Sequence, residues 1–109
     1  MTDYTKLTEQ EINEAVALVK FKECLELEIY KIQQGAVVVV SQGLLICTYN
    51  PYNNPKDWAP LLEELWNIGQ VHFAKNHLVV FQSETQSFQI NEPKLGKAIC
   101  ILWLTVKGE

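Results

Sequence analysis

The chain contains no arginine; all nine basic residues among its 109 are lysines. Arg supplies the planar, bidentate fork that reads phosphates and guanine edges. The lysines are scattered among thirteen acidic residues, for a net charge of −4. No basic stripe forms, so nucleic acid is not an expected partner. Long apolar runs are missing too. A bilayer span takes about 20 apolar residues, and the longest candidate, Ala98 to Leu104, is far shorter. No membrane partner is expected. Residues 1–6 are polar and show no apolar segment of the secretory kind.

Cysteine is sparse and odd in number. Cys24, Cys47 and Cys100 lie far apart with no CxxC spacing, which argues against a disulfide framework or a zinc site. Each lies in an apolar run, where free Cys packs as a small hydrophobe. A reducing cytoplasm is the expected compartment. The five glycines stand singly, so no loop can cradle a phosphate, and no cofactor is expected.

What is present suits a single globular domain over residues 1–109, with 48% apolar residues. Thr8-Glu9-Gln10-Glu11 reads as a capping box, and Ile12, Ala15, Val16 and Val19 follow helical spacing, giving a helix over about 9–20. The period then changes to two. Leu25, Leu27 and Ile29 alternate with Glu26, Glu28 and Tyr30, a strand with one wet face. Val37 to Val40 is a β-branched run expected to be covered on both faces. Gln42-Gly43 turns the chain into a third strand, Leu44 to Tyr49.

A Tyr-Asn-Pro loop over 49–55 ends this segment. The helix that follows starts at either Asn54 or Asp57 and carries Trp58, Leu61, Leu62 and Leu65 on one stripe. Strands resume at Val71–Lys75 and Leu78–Gln82 around a turn at Asn76-His77, with a short strand at Phe88–Ile90. Residues 94–107 keep helical spacing, although 99–106 also suits a strand. Gly96 within that helix costs up to about 1 kcal/mol against Ala, so a neighbouring backbone is expected to pass close by. The expected fold is α+β, in the order α-βββ-α-ββ(β)-α, with a small antiparallel sheet sandwiched by helices.

Catalytic constellations are weak. His72 and His77 flank a tight turn without a nearby third metal ligand in sequence. Glu63 and Glu64 are adjacent, so they diverge by about 100° on a helix and cannot share a substrate atom. Cys47 lacks an activating neighbour in sequence. These features favour a non-enzymatic protein with no metal site. The loop carries the recognition-type side chains: Tyr49, Asn50, Tyr52, Asn53, Asn54 and Asp57 are the candidate binding residues. The bland alternative is a rigid turn with its Tyr rings packed inward. A second candidate is the apolar excess of the last helix: an uncovered face there would place Ile101, Trp103 and Leu104 in a homodimer interface.

Three stretches resemble the phage ABA sandwich domain family. They are Leu7-Thr8-Glu9-Gln10-Glu11-Ile12-Asn13-Glu14-Ala15-Val16-Ala17 at the first helix, Tyr49–Pro51 with Asp57-Trp58 and Glu63-Glu64-Leu65, and Lys97-Ala98-Ile99-Cys100 with the late Lys107-Gly108. The chain departs from the family's pattern between 21 and 48, where Phe21-Lys22-Glu23-Cys24 replaces the usual Gly and Trp. The resemblance implies a small phage- or prophage-encoded protein in a bacterial host cytoplasm, with a helix over 94–107. It brings no catalytic residue. The resulting expectation is an interaction protein that binds or inhibits a host defence factor. The alternative is a small-molecule binder that sequesters a nucleotide signal, with aromatic residues stacking on the base.

Overall fold

The computed structural model describes residues 3–108. Helix α1 (Glu9–Lys20) starts where the capping box places it. The Thr8 hydroxyl accepts from the Glu11 amide at 3.2 Å, and Glu11 Oε1 accepts from the Thr8 amide at 2.9 Å. Two otherwise orphaned helix-end donors are thereby satisfied. The helix buries Ile12, Asn13, Val16 and Ala17.

Strand β1 (Leu27–Lys31) begins two residues later than its alternating pattern suggests. The chain first turns after α1, with the Cys24 amide bonded to the Phe21 carbonyl at 2.9 Å. Glu26 sits at φ 49°, the left-handed region, which excludes it from a strand. Leu25 is left 67% exposed. From β1 the chain runs through a short 3₁₀ turn at Gln33–Gly35 into β2 (Val37–Ser41), then into β3 (Leu44–Tyr49). Gln42 and Gly43 both have positive φ, 53° and 76°, as a two-residue hairpin requires.

Helix α2 (Pro55–Ile68) uses Asn54 as its first flanking residue and Pro55 at its first position, which settles the ambiguous start. Pro60 lies inside it, where a proline removes one helical hydrogen bond. Strands β4 (Gln70–Ala74), β5 (Leu78–Gln82) and β6 (Ser87–Asn91) follow, then helix α3 (Leu95–Lys107). The helical reading of 94–107 therefore holds over the strand reading.

The class is α+β and the element order is as expected. The strands form two separate antiparallel sheets of three, β1-β2-β3 and β4-β5-β6, where the sequence suggested one. The helices join them. Helix α3 packs against both α1 and α2; α1 backs β1 and β2, while α3 and α2 back β6 and β4. The core draws Val37 and Val39 from the first sheet and Val79 and Phe81 from the second. It adds Ile12 and Val16 of α1, Leu61 and Leu65 of α2, and Ile99 and Leu102 of α3.

Neighbours on several sides bury α3 from Ala98 to Leu104. Ile101, Trp103 and Leu104 are at most 2% exposed, so the proposed homodimer interface on this helix is corrected: these side chains are core.

Candidate functional site

The loop between β3 and α2 is held by Asn13, a polar residue on the buried stripe of α1. Its Nδ2 donates to the Gly35 carbonyl at 2.9 Å and to Asn50 Oδ1 at 2.7 Å. Its Oδ1 accepts from the Tyr52 amide at 2.9 Å. One buried carboxamide thus ties the 3₁₀ turn and two points of the loop to the first helix. Asp57 Oδ2 accepts from the Asn50 amide at 2.9 Å. Asn53 Nδ2 donates to Asn50 Oδ1 at 3.1 Å and also to Glu9 Oε1.

The six loop candidates therefore divide. Tyr49 and Asn50 are buried, at 6% and 9% exposure. The Tyr49 ring meets Phe21 edge-on, centroids 5.3 Å apart. Asp57 is half-buried and engaged. The Tyr52 ring is half-buried, with Lys94 Nζ 5.5 Å from its centroid, a cation–π arrangement. Asn53 and Asn54 alone are exposed. Most of the loop's hydrogen-bonding capacity is used inside the molecule. Its carbonyls also press on α3: a Cβ at Gly96 would lie 2.3 Å from the Tyr52 oxygen and 2.9 Å from that of Pro51. This is the close backbone approach expected of that glycine.

The other constellations are separated. Cys47 lies on the first sheet, while His72 lies on the second and His77 in the turn before β5. His72 Nε2 is 3.2 Å from Gln70 Oε1. Burial, with Asp57 nearby, pushes the Cys47 thiol above its ordinary value, and burial pushes Cys100 further up. Neither thiol is activated as a nucleophile. Among the described residues no group of three or more His, Cys, Asp or Glu is placed to hold a metal ion. An open cleft of about 300 Å³ is lined by Tyr4, Phe88, Ile90, Ile101 and Thr105, remote in sequence from the loop candidates.

The most unusual surface is the outer face of the first sheet. Register pairs Ile29 with Val39 and Val39 with Cys47 toward the core. The opposite face carries Glu28, Tyr30, Val38, Val40, Leu45 and Thr48. A bulge follows Leu45, so Leu45 and Ile46 together oppose Val40. Tyr30, Leu45 and Ile46 are 49%, 67% and 48% exposed, while Val38 and Val40 are half-buried. The expectation that the valine run is covered on both faces thus holds fully only for Val37 and Val39.

The second sheet provides an internal comparison. Its outer face carries Gln70, His72, Gln82, Ser87, Gln89 and Asn91 with Ala74, Leu78 and Val80 among them, a mainly polar face normal for an antiparallel sheet with one side on a core. The first sheet has the same architecture with an apolar outer face. Its edge strand β3 carries no charged residue, although charged side chains are a common guard of exposed edges. Sequence reasoning passed over this face because each strand alone reads as ordinary; only register assembles Tyr30, Val40 and Leu45 side by side.

Comparison with protein-family models, with curated proteins and with solved structures finds no match to the chain.

Proposed function

We propose that this chain is a non-enzymatic interaction protein that works by presenting a preformed surface to another polypeptide. The observation that carries the reading is the apolar outer face of β1-β2-β3 beside the polar outer face of β4-β5-β6. Exposed contiguous apolar surface rimmed by polar residues is the usual mark of a protein contact. The resemblance to the phage ABA sandwich family supports a phage- or prophage-encoded protein whose eventual target is a host factor. The 49–55 loop is bonded to α1 instead, and of its candidate residues only Asn53 and Asn54 are exposed.

The test is a photo-reactive amino acid placed at Tyr30, with the same group at His72 as control, in protein expressed in bacterial cells. Position 30 should yield cross-linked protein adducts and position 72 should not. A position 30 that gives none would remove the reading.

A further inference from the structure

The second sheet has an open edge along β6. Two bonds fix which way the backbone of this strand points. The Ser83 amide donates to the Gln86 carbonyl at 2.8 Å, and the Glu92 amide to the His77 carbonyl at 3.0 Å. They bracket the β5–β6 ladder, whose register runs unbroken from Gln82↔Ser87 to Leu78↔Asn91. Hydrogen-bonded and non-bonded pairs alternate along an antiparallel ladder. Phe88 and Ile90 therefore turn their backbone groups to β5, while Ser87, Gln89 and Asn91 turn theirs to the open side. Among the described residues none is bonded to those groups there.

Such an edge accepts another strand unless charge, proline or a bulge guards it. Strand β1 carries Glu28 and Lys31, and β3 has its bulge. Strand β6, Ser-Phe-Gln-Ile-Asn, has none of the three.

The cleft of about 300 Å³ lies along this edge. Phe88, Gln89 and Ile90 of β6 line one side, Ile101 and Thr105 of α3 contribute another, and the 3₁₀ turn at Tyr4–Lys6 adds Tyr4 and Thr5. Phe88 and Ile90 pair with Phe81 and Val79 on the inner face of the sheet. In a strand added to β6, the residue opposite Gln89 faces outward. The residues on either side of it face inward, beside Phe88 and Ile90. Two inward side chains, two positions apart, thus meet the cleft, whose apolar lining suits large aliphatic or aromatic groups.

Three features identify the occupant. The outward amides and carbonyls recur at every second residue, about 7 Å apart, a repeat that an extended polypeptide backbone matches. The one charged residue lining the cleft is Asp3. Its partner Lys6 is 3.9 Å away with its side chain 82% exposed, a weak surface pair that a basic residue of the occupant can join. A second copy paired along this edge would bring its own Phe88 and Ile90, already seated on its core, and would leave the cleft unfilled. A segment with no core of its own has side chains to fill it.

We propose that this groove binds an extended peptide segment bearing Lys or Arg as a fourth strand of the second sheet, with its inward apolar side chains in the cleft. The site is separate from the outer face of the first sheet, so either reading can fail alone.

NMR titration of the isotope-labelled full chain tests it. The probes are peptides of the pattern Lys-Thr-X-Thr-X-Thr-Lys, with X as Leu, Ile, Val, Phe or Ser. The apolar peptides should shift the amide signals of Ser87, Gln89 and Asn91 and slow their hydrogen exchange, and the Ser peptide should not. N-methylation should abolish the shifts at one alternating set of peptide residues and spare them at the other, as a paired strand requires. Gln89→Pro removes an outward donor and leaves the bonds to β5, a position where an edge tolerates proline. It should weaken binding about tenfold. Should that variant fold poorly, the N-methylated series decides alone. No shift from any apolar peptide at millimolar concentration overturns the proposal, as does equal binding by every N-methylated form. Shifts at Val40 and Leu45 instead would place the peptide on the first sheet and overturn it too. So would a free chain of dimer mass with the three β6 amides already protected, since a second copy would then hold the edge.

Discussion

Tyr49 shows how a single side chain can look like recognition chemistry and serve as core. Its ring packs on Phe21, and its hydroxyl is buried without a hydrogen-bond partner among the described residues. Such a group costs about 1–3 kcal/mol to leave unpaired. Burial, reinforced by neighbouring Cys100 and Asp57, pushes the phenol above its ordinary value of 10. The neutral form is favoured in the folded state. The contribution linked to this shift is fully present below pH 10 and is lost as pH rises beyond it, because the unfolded phenol ionises first. Tyr49→Phe keeps the ring and removes the orphan oxygen. It should raise stability at neutral pH by about 1 kcal/mol and flatten part of the alkaline loss. Guanidinium unfolding at neutral and alkaline pH measures both, and a less stable variant at neutral pH would count against this account. The inward Tyr ring was one of the two readings open from the sequence. Choosing between them needed the register of β3, which places Tyr49 opposite Val37 on the core face.

At the scale of elements, the contact between the loop and α3 gives the sharpest expectation. Ala is favoured over Gly in a helix by about 1 kcal/mol, so an unobstructed Gly96→Ala would stabilise. Here the new methyl would overlap the carbonyl oxygens of Tyr52 and Pro51, and backbone cannot step aside as a long side chain can. The substitution should instead destabilise by about 2 kcal/mol, in the range of overpacked cores; thermal unfolding will show the sign. Elements with local chemistry were legible in the sequence. The capping box, the Gln42-Gly43 turn and Pro55 at a helix start each act through a few adjacent residues. Less legible were features set by tertiary surroundings. The α3 pattern is blurred because Ala98 through Leu104 are buried all round, which removes the wet face that separates the two periodicities. The late start of β1 depends on the turn through Glu26, for which the alternating pattern gives no warning.

For the whole molecule, the α+β class and the order of elements followed from the period changes along the chain. The division into two sheets did not, because pairing between distant hairpins is not encoded in any one strand. The apolar outer face of the first sheet was hidden for the same reason. By contrast, the loop that looked most functional is tied down by Asn13, whose bonds join residues 22, 37 and 39 positions apart. That separation has a consequence for the order of events in folding. Contacts across such spans must wait until the intervening hairpins have drawn the chain together. The carboxamide is therefore expected to close late, after the rate-limiting step, and to act as a latch on the finished protein. Asn13→Ala should speed unfolding while leaving the folding rate nearly untouched, a chevron shifted on one arm only. The lifetime of the native state, more than the speed of reaching it, would then depend on one polar side chain in an apolar stripe.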